Sequence, residues 1–181
     1  YNRKDFSDFN NKVIFDVRFD KATIASNDLN YFYNEFGKNN VFYVDTYLVG
    51  TLNNFTTYNL KLVDKNQSEI IGTANFRNLF GKGNQEFYMK GNFDRITSNY
   101  EDLKSILPRI LGNNLPSVLA KLGNVNIAGD VELTQKYINA DVSMLSQLGY
   151  LEGNLAMQNI NNIDNASYQG NIKLDAFDLG T

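Results

Sequence analysis

In the stretch 124–133, Val125, Ile127, Val131 and Leu133 fall on one parity, and Asn126, Asp130 and Glu132 fall on the other. Successive side chains of a strand point to opposite faces, so this alternation predicts a β-strand with one apolar face and one wet face. Gly129 sits on the apolar parity, where another Val or Ile would be ordinary. A glycine there leaves a notch in the apolar face.

The unit recurs. Gly50, Gly72, Gly91, Gly153 and Gly170 each have apolar residues two positions away on both sides: Leu48 and Leu52, Ile70 and Ala74, Met89 and Phe93, Leu151 and Leu155, Tyr168 and Ile172. A small polar residue follows each glycine, namely Thr51, Thr73, Asn92, Asp130 (after Gly129), Asn154 or Asn171. The glycines lie about 17 to 24 residues apart, with one gap of about 38, which makes the repeating element a strand pair. Two consequences remain open from the residues alone. The glycines let a sheet curl and keep a groove wide, or they mark bulges and close contact between two sheets of a closed sandwich.

Along the chain, Val13, Phe15, Val17 and Phe19 alternate with Asp16, Arg18 and Asp20 and predict the first strand. Leu29, Phe32, Tyr33 and Phe36 then have helical spacing, with Asn27 as the expected cap and Gly37 as the stop. Strands are expected at about 41–52, 56–64, 68–78 and 85–96, then at about 124–134, 137–146, 149–158 and 166–176. Their connections are too short for crossovers, so the pairing is antiparallel. If they average eight to ten residues, the strands would be roughly 25 to 33 Å long.

Between the two sets, Tyr100, Leu103, Ile106, Leu107, Ile110 and Leu111 form one helical stripe, and Leu115, Val118, Leu119 and Leu122 form another. Pro108 and Pro116 divide them into two short amphipathic helices. These either cover the sheet as core or lie across an open groove as a gate or lipid contact. The fold class expected is thus mainly β: a curled antiparallel sheet with a β-taco-like groove and two helical inserts. Its parts are an N-terminal strand set (1–98, with a helix at about 28–36), an insert (99–123) and a C-terminal strand set (124–181) continuing the same sheet. Together they make one structural unit, expected to be a fragment of a longer chain.

Composition narrows the chemistry. The 181 residues are 43% hydrophobic and 20% charged, ordinary usage for a chain with a core. There is no cysteine and no histidine, which removes thiolate chemistry, disulfides and the commonest general base and metal ligand. A net charge of −3 with scattered Lys and Arg predicts no nucleic-acid partner. The 28 asparagines suit turns and a solvated β surface. Phe80-Gly81-Lys82-Gly83-Asn84 lacks the spacing of a phosphate loop, and Asn161-Asn162-Ile163-Asp164-Asn165 lacks the acidic pattern of a calcium loop. No pair of carboxylates is singled out for acid–base work. The expectation is a non-enzymatic chain with no catalytic residues, no metal and no cofactor.

The C-terminal part reads Leu122-Gly123-Asn124-Val125-x-Ile127-x-Gly129, then a strand pair through Leu148-Gly149, then Ala166-x-Tyr168-x-Gly170-x-Ile172 and Phe177-Asp178-Leu179-Gly180. Upstream stand Asp28-Leu29-Asn30-Tyr31-Phe32, Tyr100-Glu101-Asp102-Leu103, Leu107-Pro108 and Leu115-Pro116. Over most of its length the chain resembles the TamB and AsmA-like proteins of Gram-negative bacteria, especially the long Bacteroidota forms.

That resemblance implies a periplasmic protein anchored at the inner membrane outside this segment, carrying phospholipid along an apolar groove toward the outer membrane. It also implies an outer-membrane barrel partner of the BamA type. Leu48, Leu52, Met89, Phe93, Ile127, Val131, Leu151, Leu155, Tyr168 and Ile172 are the expected groove lining, with Gly50, Gly72, Gly91, Gly129, Gly153 and Gly170 as groove glycines. The alternative is a scaffold module of an outer-membrane translocation and assembly complex, with the same face fully packed. A set of outer-membrane barrel strands is a third reading, disfavoured by the helical segments.

Overall fold

The structure is a computed structural model that describes residues 6–32, 37–80, 85–106, 108, 111–112, 115, 117–160 and 162–178. Nine strands form one antiparallel sheet in strict chain order: β1 (Phe15–Ala25), β2 (Val41–Thr51), β3 (Asn54–Asp64), β4 (Glu69–Arg77), β5 (Tyr88–Asn99), β6 (Asn124–Thr134), β7 (Tyr137–Ser146), β8 (Gly149–Gln158) and β9 (Ser167–Asp175). The sheet is a meander that does not close on itself. The two-residue links at 52–53, 135–136 and 147–148 admit only antiparallel neighbours, and the longer links at 26–40 and 100–123, which hold α2 and α3, join antiparallel neighbours as well. Strands of 9 to 12 residues span roughly 30 to 40 Å, longer than expected. β1 runs on to Ala25, beyond its expected end, whereas β5 keeps its expected length of 12 residues but is shifted to end at Asn99.

Among the described residues three short α-helices accompany the sheet: α1 (Phe9–Lys12), α2 (Ser26–Phe32) and α3 (Tyr100–Ile106). Asn27 does not cap α2. The helix begins at Ser26, whose fully buried hydroxyl accepts a hydrogen bond from the Asn40 amide at 2.9 Å, while Asn27 pairs with Asn39. The local competition is decided by the long-range tie to Asn40. Tyr33 and Phe36, on the expected helical stripe, lie outside the described residues.

Among the described residues the insert carries one α-helix and one 3₁₀ segment. Asn99 caps α3 through a 3.0 Å bond from the Asp102 amide, but the helix ends at Ile106. The second stripe forms a 3₁₀ segment, Ser117–Leu122. Leu107, Ile110 and Pro116 are outside the described residues, as is the 81–84 part of the Gly-Lys-Gly turn.

The strands fall into two regimes. β1, β3 and β5 each carry one extra residue: between Phe19 and Ala22 opposite Thr46 and Val44, between Thr57 and Leu60 opposite Ala74 and Gly72, and between Phe93 and Ile96 opposite Gly129 and Ile127. Through the intervening strands these bulges stand at one level of the sheet, with Lys21 (φ 51°) and Asn59 (φ 50°) in the first two. A row of bulges adds twist and bend along one line. From β6 to β9 the pairing has no irregularity.

The apolar core follows the bulged half. Phe55, Ala74, Met89, Phe93 and Leu133 are buried with Leu79, Phe87, Met157 and Ile160 around the connections at one end of the sheet. At the other end, Ile106 of the insert packs on Phe42, Val44 and Leu60. Each buried Phe contributes about 1.5–3 kcal/mol relative to exposure. Asp102 holds the insert in place by accepting from Asn66 Nδ2 (2.6 Å) and Asn99 Nδ2 (2.7 Å), and Asn40 Nδ2 donates to the Ser105 carbonyl at 3.2 Å.

Gly129 meets a conformational demand that another residue would not. Its φ is +132°, and an added Cβ would lie 2.9 Å from the Val142 Cα across the ladder. Gly129→Ala is therefore expected to destabilise the chain by about 1–3 kcal/mol, read as a lower urea midpoint. A midpoint unchanged from the parent would show that the backbone at this position is not constrained.

Candidate functional site

Pairing turns the glycine units, scattered along the chain, into rows across it. One row runs Leu48, Thr57, Ala74, Gly91, Val131, Ala140, Leu155, Gly170, each opposite the next. A second runs Leu60, Gly72, Phe93, Gly129, Val142, Gly153, Ile172, with glycine and a larger side chain in strict alternation. A third joins Ile70, Ile96, Ile127, Met144, Leu151 and Leu174, and a fourth joins Met89, Leu133, Ile138, Met157 and Tyr168. All four rows lie on one face, because antiparallel partners share a face.

The structure therefore brings nine of the ten expected lining residues onto this face. The tenth, Leu52, stands in the turn between β2 and β3, beyond the ladder. The nine differ in exposure. Met89 (8% exposed) and Phe93 (6%) are core, Leu48, Ile127, Val131, Leu151 and Leu155 are half-buried, and Tyr168 (54%) and Ile172 (52%) are open to solvent. The apolar face is thus filled around Met89 and Phe93, with Leu133 and Met157 buried in the same cluster, half-buried from Ile127 to Leu155, and open on β9.

The glycines are not vacant space. The Phe93 ring lies over Gly91, within 2.6 Å of where its Cβ would be, and also approaches Gly72. At Gly50, Gly129, Gly153 and Gly170 an added Cβ would meet the backbone of the adjacent strand. Close approach between neighbouring strands of one sheet accounts for them, not contact between two sheets of a sandwich. Val142, Ala140, Ile138 and Met144 on β7 belong to the face too. Parity alone marks them in the sequence, but β7 has no glycine, so the repeat passes over it.

Five of the polar residues that follow the glycines, Thr73, Asn92, Asp130, Asn154 and Asn171, form a row on the opposite face, completed on β7 by Asp141. Asn92 Nδ2 donates to Asp130 Oδ1 at 3.0 Å, and Asp130 faces Asp141 directly. Around this row is a shallow hollow of ≈ 690 Å³ lined by Lys90, Glu132, Asn139 and Gln169 as well. Beside it the Glu132 carboxylate accepts from the Tyr137 hydroxyl at 2.6 Å, which, with burial, pushes that hydroxyl up to about 12.

Further along the polar face, Glu69 accepts from Arg95 (2.6 and 3.0 Å) and lies 3.2 Å from Lys61 Nζ. Burial raises its carboxyl, but the hydrogen bonds from Arg95 and Lys61 outweigh that and hold it below the ordinary carboxylate value. Among the described residues no cluster of three or more Asp or Glu is placed to hold a metal ion. No helix among them is long and apolar enough to cross a membrane. Comparison with protein-family models, with curated proteins and with solved structures finds no match for this chain.

Two outcomes are expected from the polar face. Asp141→Asn removes a like-charge pair and should stabilise the chain by about 0.2–1 kcal/mol at neutral pH, read as a raised melting temperature. Because the Glu69 carboxyl is depressed, its contribution is present above the ordinary carboxyl range and is lost as pH falls through the folded value. Glu69→Gln should therefore flatten the acid limb of stability against pH, and an unchanged acid limb would show that the three-charge cluster contributes nothing to it.

Proposed function

We propose that this chain forms a stretch of a lipid-conducting trough in a periplasm-spanning protein of the TamB and AsmA-like kind, without enzymatic activity. The observation that carries this reading is the set of apolar rows running across the sheet, on which no second sheet packs among the described residues. A phospholipid crossing water exposes about 0.8 kcal/mol per CH₂, on the order of 12 kcal/mol for a chain of ~16 carbons. A continuous apolar surface removes most of that barrier. It must not hold the lipid tightly at any point, and side chains without convergent polar groups meet that demand. In this reading the open half supplies the contact surface through Val131, Leu151, Leu155, Tyr168 and Ile172. The inner-membrane anchor and a BamA-type barrel at the outer membrane complete the proposed setting.

A second reading is favoured by one observation, the burial of Met89 and Phe93 beneath their own neighbours. A face filled in this way suits a scaffold module of an outer-membrane assembly complex. The two readings diverge at the open half. In living cells, a photoreactive residue at Val131 or Leu155 should yield phospholipid adducts, and one at Glu132, on the polar face, should not. Leu155→Asp should abolish the adducts at Val131 while the protein remains folded, since its half-buried position lets a carboxylate reach water. Absence of adducts at both apolar positions in folded protein would overturn the conduit and leave the scaffold.

A further inference from the structure

The insert leaves the ladder and returns to it at one place. Asn99, the last residue of β5, pairs with Asn124, the first of β6, so the segment between them rises from two residues that are already neighbours. Among the described residues it adds no strand to the sheet, and it can move without altering a pairing. From Asn99, α3 turns back over the ends of the earlier strands. Asp102 accepts from Asn66 Nδ2 at 2.6 Å and from the Ser68 hydroxyl at 3.3 Å, both in the link from β3 to β4. The Ser105 carbonyl accepts from Asn40, the residue before β2. Of the seven residues of α3 one is buried, Ile106, and it rests on Phe42, Val44 and Leu60. A helix of two turns has little stability of its own. Held by one apolar side chain and a few hydrogen bonds, α3 opens at a lower free energy than the sheet beneath it.

What α3 covers is one end of a transverse row. The row that holds Ile70, Ile96, Ile127 and Met144 continues backward through Leu62 to Val44. Ile106 is seated at the Val44 end, and Leu62 and Ile70 pack against the same cluster. Further along, Ile127 and Met144 are half-buried. We propose that α3 is a displaceable lid on the apolar face, which swings about Asn99 with the Asp102 hydrogen bonds as its latch. Open, it admits an apolar chain to the patch of Phe42, Val44 and Leu60; closed, it fills that patch with Ile106. An aliphatic side chain and an acyl chain present the same kind of surface, so each excludes the other. The latch is separate from the seat: Asp102 is bonded to side-chain amides and a hydroxyl, and its loss frees α3 without removing an apolar contact. The identity of the admitted chain rests on the trough reading, whereas the swing of α3 does not.

The chain has no cysteine, so a thiol placed under the lid reports its opening. Val44→Cys is expected to react with a thiol reagent at a rate that does not change with urea below the unfolding transition. That rate should be at least about tenfold above that of Met157→Cys, which is buried on β8 in the other cluster and reports unfolding of the sheet. Leu60→Cys, also beneath Ile106, is the second probe should Val44→Cys fail to fold. Asp102→Ala is expected to raise the rate under the lid about tenfold, still without dependence on low urea. Labelling under the lid that follows the urea slope of Met157→Cys overturns the proposal, and so does a rate unmoved by Asp102→Ala. In living cells, a photoreactive residue at Leu62 is expected to gain phospholipid adducts at least about fivefold in Asp102→Ala. Adducts at Val131 with none gained at Leu62 overturn the lid while leaving the trough. The thiol rates involve no lipid, so they test the swing whatever becomes of the trough.

Discussion

The rest of this structure depends on the period-two alternation being kept in register across eight successive antiparallel pairings. Each pairing places apolar side chains opposite apolar ones, and a slip of one residue at any of them would turn every later strand over. That is why residues as distant as Leu48 and Gly170 lie in one transverse row, although no strand pairs with anything but its chain neighbours. The apolar face is a property of the ladder as a whole, and no single strand carries it.

Where the alternation is interrupted, it is interrupted coherently. The extra residues in β1, β3 and β5 stand at one level, so the parity lost in one strand is restored beyond the bulge and both faces are preserved. Gly91 and Gly72 stand where the ring of Phe93, beside the β5 bulge, approaches, and neither has a side chain to displace it. Bending and filling therefore occur together in the first half. The regular half from β6 to β9 lacks the bulges and is filled only in part: Val125, Leu133 and Met157 are buried, Val131, Leu151 and Leu155 are half-buried, and β9 is exposed.

This asymmetry gives the two faces separate roles. The apolar face offers contact without specific hydrogen-bonding groups, from a filled region under the insert to an open edge. The polar face carries the charge, with Glu69 between Arg95 and Lys61, Lys173 on Glu152, and the facing pair of Asp130 and Asp141. Those groups are near water, so they tune stability modestly and keep the second face solvated.

The strands and their faces were legible in the sequence, because a period of two needs only the order of residues. The parity of Val125, Ile127, Val131 and Leu133 suffices to place them together, and the same holds for nine of the ten lining residues. Leu52 has the right parity but falls where the chain turns, and parity does not report where pairing stops. The helices were legible only in part. Asn27 has the chemistry of a cap, yet Ser26 is claimed by Asn40, and of the periodic stripe from Tyr100 to Leu111 the described α-helix covers Tyr100–Ile106. What only the tertiary structure decided is which apolar residues are buried. Phe93 and Ile172 have the same sequence signature, two residues beyond a glycine, and differ because burial depends on what lies on either side: Phe93 has paired strands on both sides and packed neighbours over it, whereas among the described residues Ile172 has a paired strand on one side.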